Sequence, residues 1–201
     1  MIGQSLVIGL GNPGRKYVGT RHNLGFEVVA RVAKTLKATD NPKRPLFRWS
    51  QAKLPHEDTE RTLTLAWPTT FMNRSGLAVA QILGKLAISP AEMLVVVDDF
   101  NLPIGALRFR AEGSDGGHNG LASIIEQLGT LGFPRLRLGV GRPPEGVDPA
   151  DYVLSRFLPE EMEAVERMVA LAAEAVIFGA THRFEEAMSK YNINPALPNE
   201  E

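Results

Sequence analysis

Three short apolar runs constrain the fold of this chain more than any other feature. "SLVIGL" (5–10), "MLVVVDD" (93–99) and "RLRLGVG" (135–141) are too short for buried helices, and each ends in glycine or in carboxylates. Such runs read as strands buried on both faces, the pattern of a central sheet covered by helices. The intervening segments carry helical spacing. Leu24, Val28, Val32 and Leu36 recur by four from a start at Thr20, with Lys34 and Lys37 near the end. After "MNRSG" a second helix is expected to present Leu77, Ala80, Leu83 and Leu86 on one face, and a third is expected near 118–130. From Pro159 the tail reads as helix, with Met162, Val165, Val169 and Ala172 on one side, ending in a frayed "INPALPNEE". "LFRWSQAKL" (46–54) and "RTLTLAW" (61–67) alternate like a strand pair joined by "PHEDTE", and "IGALRFRAE" (104–112) reads as a further strand. The expectation is an α/β fold: one domain over 1–201, a mixed central sheet flanked by helices, a C-terminal helix and a flexible end of ~10 residues.

The sheet must be reconciled with "IGLGNPG" (8–14), whose glycines satisfy G-x-G-x-x-G. A dinucleotide cradle needs a helix starting inside that loop and an acid at the end of a second strand about 20 residues on. Pro13 removes a donor, "RKYVGT" delays the helix, and Asp40 falls in the turn "ATDNPKRP". No nucleotide cofactor is expected, and ligands should sit at the carboxyl ends of the strands.

Composition excludes other classes. The 201 residues include no cysteine, which rules out disulfides, thiolate metal sites and a cysteine nucleophile and fits a reducing compartment. Neither a membrane span of ~20 apolar residues nor a leader-like start is evident, so the cytoplasm is the expected location. Net charge is −1, but residues 1–150 carry +5 and residues 151–201 carry −6. A basic body with an acidic tail permits an RNA partner without requiring one.

Polar residues cluster where strands should end. His22 stands at a helix start among Asn12, Tyr17 and Asn23, where an imidazole is favoured over an imidazolium. "PTTFMNRSG" brings Met72 and Asn73, with the amide free to cap a helix or face a ligand. Of the adjacent Asp98 and Asp99, at most one can face a given site, where it would orient a histidine. "GSDGGHNGL" adds Asn119 and His118; the histidine is open to three roles: second base, phosphate contact or helix cap. The four histidines lack metal-ligand spacing, so no metal is expected, and no G-x-S-x-G elbow supplies a serine nucleophile. A neutral histidine, an orienting carboxylate and several amides suit water attack on an activated acyl group, without naming the substrate.

The segments "IGLGNPGRKYVGTRHNLGF", "PTTFMNRSG", "DDFNLPIGALRFR", "GSDGGHNGL" and "RLRLGVGRP" resemble, in order, those of bacterial-type peptidyl-tRNA hydrolases. The resemblance implies a monomer that cleaves the ester between a peptide and the 3′ end of tRNA, recycling tRNA from aborted translation. It implies His22 as general base, Asp98 as its orienting acid, and Asn12, Asn73 and Asn119 as amides positioning peptide, water or oxyanion. Tyr17 and Met72 would wall the substrate channel; His118 is, on the residues alone, a further substrate-binding candidate. Arg108, Arg110 and Arg137 would meet the tRNA, with Arg21 added by adjacency. The chain departs from the family pattern at Glu112 and Asp115, which add negative charge, and at Trp67, where many members carry lysine. The competing expectation is a non-catalytic RNA-binding relative of the same fold.

Overall fold

The computed structural model describes residues 5–56 and 59–193. Its strands are β1 (Leu6–Gly9), β2 (Thr39–Asp40), β3 (Phe47–His56), β4 (Thr59–Pro68), β5 (Met93–Asp99), β6 (Leu107–Arg110) and β7 (Arg135–Gly139). They form one sheet in the order β2-β3-β4-β1-β5-β7-β6. The inner four, β4, β1, β5 and β7, run parallel, and the flanking pairs are antiparallel, so the sheet is mixed as expected. Successive residues of the inner strands feed opposite cores. Val7, Leu94 and Val96 face one layer; Leu6, Ile8, Met93, Val95 and Val97 face the other, which is why these runs are apolar throughout.

Helices α1 (Leu24–Thr35), α5 (Met162–Thr181) and α6 (Phe184–Tyr191) cover the first layer, and α2 (Ser75–Leu86) and α3 (Asn119–Leu128) the second. A six-residue helix, α4 (Pro149–Leu154), lies outside both and was not foreseen, although Asp148 followed by Pro149 is a helix-start signal.

Several expectations shift. The helix expected from Thr20 starts at Leu24, after a 3-10 turn over Arg21–Asn23. α2 buries Ser75, Gly76, Ala78, Val79, Ile82 and Leu83, and leaves Leu77 39% exposed. A Cβ on Gly76 would collide with the backbone of Ser123 in α3, so this close helix contact, rather than the leucines, sets the rotation of α2. The β3–β4 hairpin extends beyond the expected strands; Glu57 and Asp58 of "PHEDTE" fall outside the described residues. β6 is shorter than the 104–112 expected. Asp40, read as a turn residue, lies on the exposed edge strand β2, which is antiparallel to β3 and unlike the acid-bearing strand of a dinucleotide fold. The tail breaks at His182 into α5 and α6, and Met162 is exposed rather than on the core face. The frayed end expected from Ile193 onward lies, beyond Ile193 itself, outside the described residues.

Candidate active site

The carboxyl ends of β1 and β5 carry the polar residues, and the start of α1 is pressed against them. A Cβ on Gly9 or Gly25 would run into facing backbone, and one on Gly11 would lie 2.7 Å from the Phe26 ring. Only Gly14 of the "GNPG" loop needs its glycine for conformation, with φ +111°. The loop and the 3-10 turn are stitched together by one amide. Asn23 accepts from the Asn12 backbone N–H (2.8 Å) and donates to the Asn12 carbonyl (3.0 Å). Asn23 was seen in sequence only as a neighbour of His22; its structural role was missed.

Asp98 is the hub. His22 Nδ1 lies 2.9 and 3.0 Å from its two carboxylate oxygens, and His118 Nε2 lies 3.1 Å from Oδ1. All three side chains are buried. Burial pushes the Asp98 carboxyl up, but the facing His22 and His118 outweigh it and hold the group well below the usual carboxylate range. Asp99 pairs instead with Arg137, whose Nε lies 2.7 Å away; both acids nevertheless line one cavity, against the expectation that only one of them would face a given site.

Proton bookkeeping then settles the tautomers. His118 is the N-cap of α3: its Nδ1 accepts from the N–H groups of Gly120 (3.1 Å) and Leu121 (3.2 Å). The neutral ring therefore carries its proton on Nε2, which donates to Asp98. Of the three roles open to His118, the helix cap fits; with both nitrogens engaged it cannot serve as a base. In the neutral form of His22, an Nδ1–H that donates to Asp98 leaves the lone pair on Nε2. His22, Asp98 and His118 also form the one cluster of metal-ligand type among the described residues, with ligand atoms within 4.8 Å of one another. Sequence spacing gave no hint of it. The proton on His118 Nε2 takes the lone pair a cation would need there, so the donor set suits hydrogen bonding rather than coordination.

Two cavities meet at His22. The first, about 370 Å³, runs past Asp98, His118, Asp115 and Arg137; the second, about 400 Å³, is lined by Asn12, Phe71, Met72, Asn73 and Leu154. Asn119, Ala150 and Val153 border both, so α4 walls the whole cleft. Asn12 Oδ1 accepts from the Met72 N–H at 2.9 Å, which fixes the amide and leaves its NH₂ for the cavity. Tyr17 lines neither cavity and reaches the site only through an edge contact with Phe71, ring centroids 6.3 Å apart. Phe71, 53% exposed on the rim, was not singled out from sequence.

The basic residues divide. On β6 and β7, Arg108 stands opposite Arg137 and Arg110 opposite Arg135. Arg135 is buried, and its guanidinium donates to the carbonyls of Gly113, Ser114, Leu131 and Phe133, bracing the loop before His118. Desolvation, and then Arg137, pull its pKa down to about 10, while Glu112 acts in the opposite sense. Glu112 therefore offsets an arginine cluster rather than simply opposing a polyanion. Asp115 accepts from Gly117 N–H at 2.8 Å and shapes the turn into His118. Trp67 is buried and donates to the Phe26 carbonyl, behind the "GNPG" loop. Arg21 does not join the basic group: it is 3% exposed and bonded to Ser155, Arg156 and Glu161.

Fold and site together define a class: a doubly covered α/β protein with an aspartate-held histidine at the carboxyl ends of its parallel strands. The peptidyl-tRNA hydrolase family model matches residues 6–200, and the chain belongs to that family. It is 42% identical over 187 residues to a peptidyl-tRNA hydrolase of Aquifex aeolicus, covering 93% of this chain and 95% of that protein. It is 44% identical over 189 residues to one of Chlorobaculum parvum, covering 93% and 97%. The crystal structure of peptidyl-tRNA hydrolase from Acinetobacter baumannii superposes with a TM-score of 0.88 at 30% identity, over 96% of this chain and 97% of that one.

Proposed function

We propose that this chain hydrolyses the ester linking a peptide, or an N-blocked aminoacyl group, to the 3′ ribose of tRNA, releasing tRNA for reuse in translation. The observation that carries the reading is the Asp98–His22 hydrogen bond, which leaves Nε2 of His22 free where the two cavities meet. His22 Nε2 takes a proton from water as the oxygen attacks the ester carbonyl carbon. Asp98 stabilises the imidazolium, and the developing oxyanion accepts from the Asn12 NH₂. Collapse breaks the bond to the ribose 3′-oxygen, which leaves with the proton from His22. Asn73 and Asn119 border the cleft and orient the peptide amides.

The peptide suits the second cavity, where Phe71, Met72, Val153 and Leu154 are apolar, and Tyr17 backs Phe71. The tRNA end suits the first, which Arg137 joins to Arg108 and Arg110. Like charges facing each other across strands cost stability, and a phosphate backbone relieves that repulsion. All these residues come from one chain, which supports a monomeric enzyme. A substrate made during translation supports a cytoplasmic location. No described helix is long and apolar enough to cross a membrane.

The test is release of a labelled N-acetyl-aminoacyl group from tRNA under multiple turnover. Sustained release is expected. Tight tRNA binding without release would overturn the enzymatic reading and identify an RNA-binding module.

A further inference from the structure

The residue before the catalytic histidine is engaged elsewhere. The Arg21 guanidinium lies between the rings of Tyr152 and Phe157, 4.4 and 4.6 Å from their centroids. It donates to Ser155 Oγ at 3.0 Å, to the Arg156 carbonyl, and to Glu161 at 2.6 Å. The backbone repeats the connection: Arg21 N–H donates to the Ser155 carbonyl at 3.0 Å, and Thr20 bridges to Arg156. Tyr152 lies in α4, the helix that walls both cavities, and Ser155, Arg156 and Phe157 directly follow it, while Glu161 sits further on, at the start of α5.

We propose that Arg21 is a positioning residue: it fixes α4 over His22, and so sets the width of the cleft that receives the substrate. α4 has only six residues, and none of its side chains belongs to either buried core; Tyr152 packs only at the edge of one. A helix this short has little stability of its own, so its placement depends on its anchors. One is the Tyr152 hydroxyl, which donates to the Val140 carbonyl at 2.8 Å. The other is Arg21. Burying a guanidinium is costly, and a buried ion pair adds little net stability, but its fixed geometry can specify one arrangement. The planar fork engages three acceptors and two aromatic faces at once, which a lysine cannot reproduce. Because Arg21 and His22 share one 3-10 turn, the wall and the base are held in register. The Ala150, Val153 and Leu154 wall touches substrate rather than the reacting atoms, so loosening it weakens binding more than chemistry.

The proposal rests on the hydrolase reading for its kinetic arm only. The test compares wild type with Arg21→Lys and Glu161→Gln in the full chain, measuring kcat and KM on N-acetyl-aminoacyl-tRNA and amide hydrogen exchange. In both variants KM should rise roughly tenfold, with kcat within about twofold of wild type. Exchange at the Tyr152 and Ser155 amides should accelerate, while exchange along β5 stays at the wild-type rate. Glu161→Gln changes the more exposed partner and carries the comparison should Arg21→Lys fail to fold. Either readout remaining at its wild-type value in a folded variant overturns the proposal, as does a loss confined to kcat. A wild type inactive on this substrate would refute the hydrolase reading, while hydrogen exchange would still decide whether Arg21 fixes α4.

Discussion

Both carboxylate oxygens of Asp98 lie within 3.0 Å of Nδ1 of His22, so that imidazole is oriented by a single buried acid shared with His118. Replacing that acid with its amide keeps the shape and reverses part of the polarity. In Asp98→Asn the NH₂ faces His22 Nδ1 in either orientation of the amide, and the tautomer that exposes the His22 Nε2 lone pair loses part of its support. The expected outcome in steady-state kinetics is a drop in kcat of roughly 10²–10⁴-fold with little change in KM. A kcat within tenfold of wild type would remove Asp98 from the mechanism.

Asn12 tests the oxyanion assignment. Asn12→Asp retains an oxygen for the Met72 N–H, but sets a carboxylate where the amide would donate. The predicted loss in kcat is roughly 10²–10³-fold, measured beside thermal unfolding to verify that the "GNPG" loop is intact. A full-activity variant would place the oxyanion elsewhere.

The arginine track makes an ionic-strength prediction. tRNA affinity should fall steeply with salt, and Arg108→Ala or Arg110→Ala should each reduce the log–log slope by about one. Arg137→Ala should reduce it less, because Asp99 already pairs with that guanidinium. Binding titrations from low to physiological salt check this, and equal slopes in all variants would exclude these strands from the tRNA contact.

Much of the fold was legible because buried parallel strands leave an unmistakable record: Leu6 to Gly9 and Met93 to Asp99 have no solvent face, and their residues say so. The rotation of α2 was not legible, since it depends on the approach of Gly76 to Ser123, 47 residues away, rather than on apolar spacing. The site divided along the same line. Asn12 and Asp98 announced themselves as polar residues at strand ends, and His22 as a histidine at a helix start. The His118–Asp98 bond, the Asn23 stitch and the burial of Arg21 all arise from contacts between distant segments, and local sequence carries no distance information. Arg21 shows the hazard: adjacency to a functional residue suggested a phosphate contact, whereas its side chain is enclosed by two aromatic rings.

Glu27 offers a stability test away from the chemistry. Burial, and then the nearby Glu166, raise its carboxyl pKa in the folded protein. A folded-state value above the unfolded one favours the protonated form, so ionised Glu27 costs stability above that value, and the cost disappears as pH falls below the unfolded value of about 4.3. Glu27→Gln should raise Tm by ~1–3 °C at neutral pH and match wild type near pH 4. A lower Tm at neutral pH would show that the charge is needed at the start of α1, where the helix dipole favours an acid.

The central claim is that His22 activates water for ester hydrolysis without a metal. Its most direct test is single-turnover hydrolysis of N-acetyl-aminoacyl-tRNA in the presence of EDTA, by wild type and by His22→Ala, with tRNA binding measured on the same preparations. Wild type should release the acyl group at an undiminished rate in EDTA, while His22→Ala should bind tRNA normally and lose roughly 10²–10⁴-fold in rate. Wild-type activity abolished by EDTA, or His22→Ala retaining near-wild-type turnover, would contradict the account.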